Sequence, residues 1–309
     1  YEALLRGIDG MKGVIPLPRD IDGDVYSRLY CIIEKQEAEF FYLDSVFNTA
    51  KIVGEAKMNY REAADLVEWK RYELDAVVNK AMKTIEGAGS ETQRARRIHD
   101  YLIRSCTYNI GKDEKYAATA YGCLVEREAN CEGYAKAFNL LASKAGLKSV
   151  LITGKNDKGE NHAWNQVNID GQWYNVDVTW DDTDVSGVIR NNYFLCDDES
   201  FGRTHFADNK YFQSFECGDN SRDYYVSNDL VADSFGKTEE ILRREIKKGN
   251  DEIRIKFTDK ELFETFGKNF IDNQRVFEIA LECGADIGGM TAVTLEENAQ
   301  NMVVTVVLN

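Results

Sequence analysis

The stretch HAWNQVNIDGQWYNVDVTW, residues 162–180, constrains this chain more tightly than any other. Two runs with strand-like alternation flank Asp170-Gly171, a dipeptide suited to the two-residue turn of an antiparallel hairpin. With Ile169 facing Gln172 the register is set, so that His162 faces Thr179 and Trp164 faces Asp177. Positions two apart along a strand share a face, which makes His162 and Asp177 diagonal neighbours. A carboxylate beside an imidazole accepts from one ring nitrogen, fixes the tautomer and leaves the other nitrogen free as a base. The other two of the three histidines, His99 and His205, have nothing comparable near them in sequence.

Upstream lies NCEGYAKAFNLLASKAG, beginning at Asn130. Tyr134, Ala137, Phe138, Leu141 and Ala145 recur at three- and four-residue steps and Gly146 supplies a stop, which predicts a helix with one buried face. Cys131 stands at its front edge, where the helix dipole and unpaired N–H groups favour a thiolate. A lone cysteine on an apolar helix is ordinarily a packing residue. An oriented imidazole opposite it changes that, because a Cys-His-Asp set performs acyl transfer: thiolate attack on an amide carbonyl, a thioester, and release to water or an amine. SVLITG and the two hairpin arms follow the helix, predicting an α+β unit whose antiparallel sheet packs on the cysteine helix.

At 309 residues the chain suggests two or three units. Residues 1–88 read as an accessory region, with strand-like runs RLYCIIE and EFFYLDSVF and then one long helix from about Asn59 to Glu86. Ser90 and Gln93 form a capping-box pattern that restarts a helix to about Ser105. Residues 89–216 form the expected catalytic core, and 217–309 a small C-terminal α+β domain with EIRIKF, AVTL and MVVTVVL as strands. A net charge of −15 disfavours nucleic acid as a partner, and no apolar run is long enough to span a bilayer. Seven cysteines lack zinc-finger spacing. Asp182, Asp184, Ser186 and Gly187 imitate the start of a calcium loop, but Tyr193 holds its twelfth position, so a solvated acidic turn is expected and no metal or other cofactor. The sequence begins at Tyr1, from which neither a signal peptide nor its absence follows.

Three motifs in order, C-E-G-Y-A-x-A-F, H-A-W-N and D-V-T-W, together with NNYFLCDD, resemble the catalytic core of bacterial transglutaminase-like proteins, relatives of papain-type cysteine proteases. The resemblance covers about Ser90 to His205. It implies a papain/transglutaminase-like fold in which Cys131 is the nucleophile, His162 the general base and acid, and Asp177 its orienter. Asn130 departs from the apolar residue many relatives carry there. The oxyanion would be held partly by the Cys131 N–H, with Tyr121 as a positional candidate for the second donor. Trp164 and Trp180 would wall the substrate cleft. The implied activity is cleavage or transfer of peptide-type amides in protein or peptide substrates, cell-wall peptide among them, with hydrolysis favoured over crosslinking. The alternative is a catalytically silent scaffold of the same fold at the cell surface. An extracellular or surface location is favoured over a cytoplasmic one.

Overall fold

The computed structural model describes residues 1–109, 115–183, 188–284 and 293–308, with backbone alone over 293–297. Internal contacts divide it into two compact units, Tyr1–Asp219 and Asn220–Asn309.

The first unit opens with α1 (Glu2–Asp9), β1 (Val14–Asp22), α2 (Gly23–Gln36), β2 (Ile52–Lys57), α3 (Ala64–Ile85) and α4 (Glu91–Ser105). Short strands β3 (Thr107–Tyr108) and β4 (Glu128–Ala129) pair in parallel and bracket a π-helical turn, Gly122–Glu126. Then come α5 (Cys131–Lys144), β5 (Lys148–Asn156), β6 (Asn161–Ile169), β7 (Gln172–Val176), α6 (Val178–Asp181), β8 (Phe194–Cys196), α7 (Asp198–Phe201) and β9 (His205–Ala207). The main sheet runs in the order β8-β7-β6-β5-β9, antiparallel throughout. Across it lies α5, with Ala135 packed on Leu151 and Ala163 and Asn165 donating from Nδ2 to the Ala135 carbonyl at 2.9 Å. The fold is therefore α+β with a transglutaminase-like core, the cysteine helix resting on an antiparallel sheet.

Local chemistry explains the two elements that matter most. Asp170 at φ +50° and Gly171 at φ +90° make the hairpin turn, which needs two left-handed residues. Ile169 faces Gln172 and the ladder continues to Asn165 opposite Val176. At the start of α5, Asn130 is the N-cap, its side chain accepting from the N–H groups of Glu132 and Gly133 at 3.1 and 3.2 Å. A side chain at Gly133 would put a Cβ 2.3 Å from the Ala117 carbonyl, so glycine lets the helix start press against that segment.

The N-terminal runs depart from expectation. RLYCIIE belongs to α2, whose buried Tyr26, Tyr30 and Ile33 fall at helical spacing behind the N-cap Asp22, and within EFFYLDSVF the structure forms only a single bridge, Leu43 to Tyr60. These residues join one continuous apolar core with α3, α4 and α5, in which Tyr42, Ile98, Leu102, Phe138 and Leu141 are buried.

The second unit contains α8 (Tyr224–Ser227), β10 (Val231–Ala232), α9 (Phe235–Lys247), β11 (Glu252–Phe257), α10 (Lys260–Phe266), α11 (Arg275–Glu282), β12 (Val293–Asn298) and β13 (Val303–Leu308). Its sheet order is β10-β11-β13-β12, and its core includes Ile241, Leu242, Ile253, Ile255, Val304 and Val306. Ala292 of the AVTL run lies outside the described residues.

Candidate active site

The hairpin delivers His162 and Asp177 to one another by a route the alternation did not predict. Past Val176 the second arm stops being a strand, because Asp177 turns and caps α6. Its Oδ1 accepts from the Thr179 N–H at 2.9 Å, the Thr179 hydroxyl at 2.7 Å and the Trp180 N–H at 3.3 Å. So neither Thr179 opposite His162 nor Asp177 opposite Trp164 is part of the ladder. Asp177 Oδ2 instead points back and accepts from His162 Nε2 at 2.5 Å. Both side chains are buried.

Helix α5 brings the Cys131 thiol close enough to act on the His162 imidazole, and since Nε2 is taken by Asp177, Nδ1 is the nitrogen left for a thiol. The Cys131 side chain is half-buried against Ala135, Leu151 and Ala163. Asn130 takes the next two N–H groups, and no acceptor among the described residues takes that of Cys131. Asn130 thus acts as a helix cap that leaves the Cys131 N–H without an acceptor among the described residues.

Burial alone would lower the His162 pKa, but the charge and hydrogen bond of Asp177, with a further contribution from Cys131, push it up to about 10. Asp177 is buried too, which would raise its pKa; the two histidines that donate to it hold it well below the usual carboxylate range.

One of those donors was not legible in sequence. His205, the first residue of β9, donates from Nε2 to the same Asp177 Oδ2 at 3.0 Å. Its ring stacks on Phe201 with centroids 3.9 Å apart. His99 is also paired, with Asp100 at 2.9 Å and Asp181 at 3.1 Å. Asp181 in turn accepts from the backbone of Asn192 and Tyr193, anchoring α6 from beneath. Both histidines therefore have carboxylate partners, supplied by tertiary contacts or a sequence neighbour.

His162, Asp177 and His205 offer ligand atoms within 4.8 Å of one another, near enough to hold a cation. Their shared hydrogen bonds through Asp177 Oδ2 already account for that proximity. Of the calcium-like run, Asp184, Ser186 and Gly187 lie outside the described residues. Asp182 accepts from the Tyr134 hydroxyl at 2.7 Å, and Tyr193 is buried against Trp180 and His205.

Among the expected cleft residues, Trp180 lies 5.4 Å from the His162 ring, centroid to centroid, and keeps some solvent exposure. Trp164 is 6.2 Å away but buried among Ile152, Tyr193 and Phe201. Tyr121 is elsewhere. Its ring stacks on Phe41, its hydroxyl donates to Glu73 at 2.7 Å and receives from Lys70 at 3.2 Å, and it belongs to the main core. The tyrosine nearer Cys131 is Tyr108. Strand β3 pairs it with Ala129, two residues before Cys131, and its ring lies 6.4 Å from that of Tyr134. Burial and the charges of Cys131, Asp177 and Glu160 push its pKa up to about 12, and among the described residues nothing hydrogen-bonds to its hydroxyl.

Helix, hairpin and buried imidazole–carboxylate pair together describe a core that sequence comparison recognises. Residues 78–178 match the family profile of the transglutaminase-like superfamily. The chain is similar to the kyphoscoliosis peptidase of Mus musculus, 30% identical over 150 residues that make up 42% of this chain and 23% of the relative. The Homo sapiens protein of that name is 29% identical over 161 residues, 45% of this chain and 24% of the relative. The match thus spans about a quarter of the length of these mammalian relatives. Among solved structures, one described as a TGase covers 47% of each chain at 17% identity and a TM-score of 0.33.

Proposed function

We propose that the first unit is a cysteine enzyme that cleaves peptide-type amides through a thioester on Cys131, with hydrolysis favoured over transfer to an amine. The observation that carries this reading is the buried His162 Nε2–Asp177 Oδ2 hydrogen bond, with the half-buried Cys131 thiol acting on the same imidazole. In this reading the Cys131 thiol passes its proton to His162 and the sulfur attacks the amide carbonyl, giving a tetrahedral oxyanion. The Cys131 N–H and the hydroxyl of Tyr108 hold that oxyanion. The His162 imidazolium then protonates the leaving amine, the C–N bond breaks, and the thioester remains. A water gives its proton to His162, attacks the thioester, and releases the carboxylic acid as the proton returns to sulfur. Asp177 stays ionised throughout and holds the ring. The names of the mammalian relatives, both peptidases, agree with this class of reaction.

The test is labelling by a thiol-directed acyl probe, followed by a screen of peptide amides with and without added amine. Wild type is expected to label at Cys131 and Cys131→Ala to lose the label; equal labelling of the variant overturns the assignment. New amino groups without added amine support hydrolysis.

A further inference from the structure

His205 lies on the far edge of the sheet, in a strand that pairs with β5 through Asn156, yet its ring reaches the carboxylate that orients His162. Asp177 Oδ2 receives His162 Nε2 at 2.5 Å and His205 Nε2 at 3.0 Å. On the opposite side of the His205 ring, Nδ1 faces the Thr204 hydroxyl at 2.8 Å. Phe201 covers one face, and Trp180 approaches with centroids 4.6 Å apart. The ring is fully buried, so its orientation is fixed from three directions.

We propose that His205 is a positioning residue of the acyl-transfer site, dividing the charge of Asp177 Oδ2 so that His162 receives only part of it. The other carboxylate oxygen decides between this role and a purely mechanical one. Oδ1 already carries the Thr179 N–H, the Thr179 hydroxyl and the Trp180 N–H, which fix the carboxylate plane without help from His205. What His205 adds is a second donor on the oxygen that serves His162. A carboxylate oxygen bonded to two donors stabilises each of them less than it would stabilise one alone. An imidazolium held too strongly is a poor acid toward a leaving amine, and a shared carboxylate offsets this. The ionisable groups around His162 are Cys131 from α5, Asp177 at the start of α6 and His205 from β9, with Tyr108 of β3 and Glu160 nearby. Of these, His205 alone donates to the same oxygen as His162.

This role rests on the enzymatic reading above, but its physical content can be measured without a substrate. The chain holds three histidines, so each imidazole can be followed by nitrogen NMR as a function of pH. His205→Phe keeps the stacking on Phe201 and removes the N–H. It is expected to raise the His162 pKa by about half a unit to one unit, since Asp177 Oδ2 then serves one donor. His205→Gln, whose amide can donate in place of Nε2, is expected to return most of the shift. The upper limb of the pH profile for Cys131 alkylation should move upward with the His162 titration. His205→Leu serves as a second apolar replacement if the phenylalanine variant does not fold. A His162 titration that stays in place or falls in the apolar variants overturns the proposal, as does an equal shift in His205→Gln. Failure of the enzymatic reading shows separately, as acyl-probe labelling that persists in Cys131→Ala.

Discussion

Lys136 is the least expected residue of the cysteine helix, because it is charged and buried. Its Nζ donates to Glu34 of α2 at 2.6 Å and lies 2.8 Å from Glu132, one turn earlier on α5. Lys35 completes the set, 2.7 Å from Glu132 and 3.0 Å from Glu34. Two lysines thus balance two glutamates between α2 and the first turns of the Cys131 helix, α5. Lys136→Met keeps the length of the side chain and removes the charge, leaving Lys35 to serve two carboxylates. Breaking a buried ion pair from one side costs about 3–5 kcal/mol. The Glu34 side chain is 6% exposed and cannot rehydrate freely, whereas that of Glu132 is 20% exposed and keeps Lys35, which places the expected loss near the lower end, about 3 kcal/mol. For a unit of this size that corresponds to a Tm lower by about 6–12 °C. All four tryptophans, Trp69, Trp164, Trp173 and Trp180, lie in the first unit, so tryptophan fluorescence in a denaturant titration reads that unit alone. Pairing Lys136→Met with Glu34→Leu removes the stranded charge and is expected to recover about 2 kcal/mol. A loss below about 1 kcal/mol in the single variant, or a double variant less stable than the single, refutes the idea that this network ties α2 to α5.

Two further outcomes are expected. Tyr108→Phe should slow thioester formation about 100-fold, the scale of losing one oxyanion donor, while iodoacetamide alkylation of Cys131 stays at the wild-type rate; unchanged acylation removes Tyr108 from the mechanism. The His162 pair should also make stability depend on pH. Its pKa is raised from 6.5 to about 10 in the folded protein, so the stabilisation is complete below about pH 6.5 and is lost as pH rises through about 10. Asp177, held low, works in the opposite sense, and its stabilisation disappears only in strongly acidic solution. The stability advantage of wild type over His162→Gln, measured by urea denaturation at about pH 6, 8 and 10, should shrink across that series, and a constant difference contradicts the linkage.

What was legible in the sequence was what local chemistry specifies. Asp170-Gly171 sets the hairpin register because only left-handed residues make that turn, and the periodicity after Cys131 places the thiol at a helix start because Asn130 caps it. Local reading failed where a competing local signal or a distant partner decided the outcome. RLYCIIE is rich in aromatic and β-branched residues and so resembles a strand, but Tyr26, Tyr30 and Ile33 need one helical face to reach the core. Asp177 ends β7 by capping α6, which alternation alone does not reveal.

His205, Tyr108 and Lys136 share a different cause. His205 meets Asp177 from 28 residues away in sequence, Tyr108 reaches the segment before Cys131 through a two-residue parallel bridge to Ala129, and Lys136 is buried only because Glu34, 102 residues earlier, receives it. None has a spacing that marks it, since each depends on a tertiary contact that forms only when the sheet and helix are assembled. Cys131, His162 and Asp177 could be read from one helix start and one turn. Their partners Glu34, Tyr108 and His205 come from α2, β3 and β9, elements outside that helix and hairpin, so substitutions there reach the surroundings of these residues without touching the motifs.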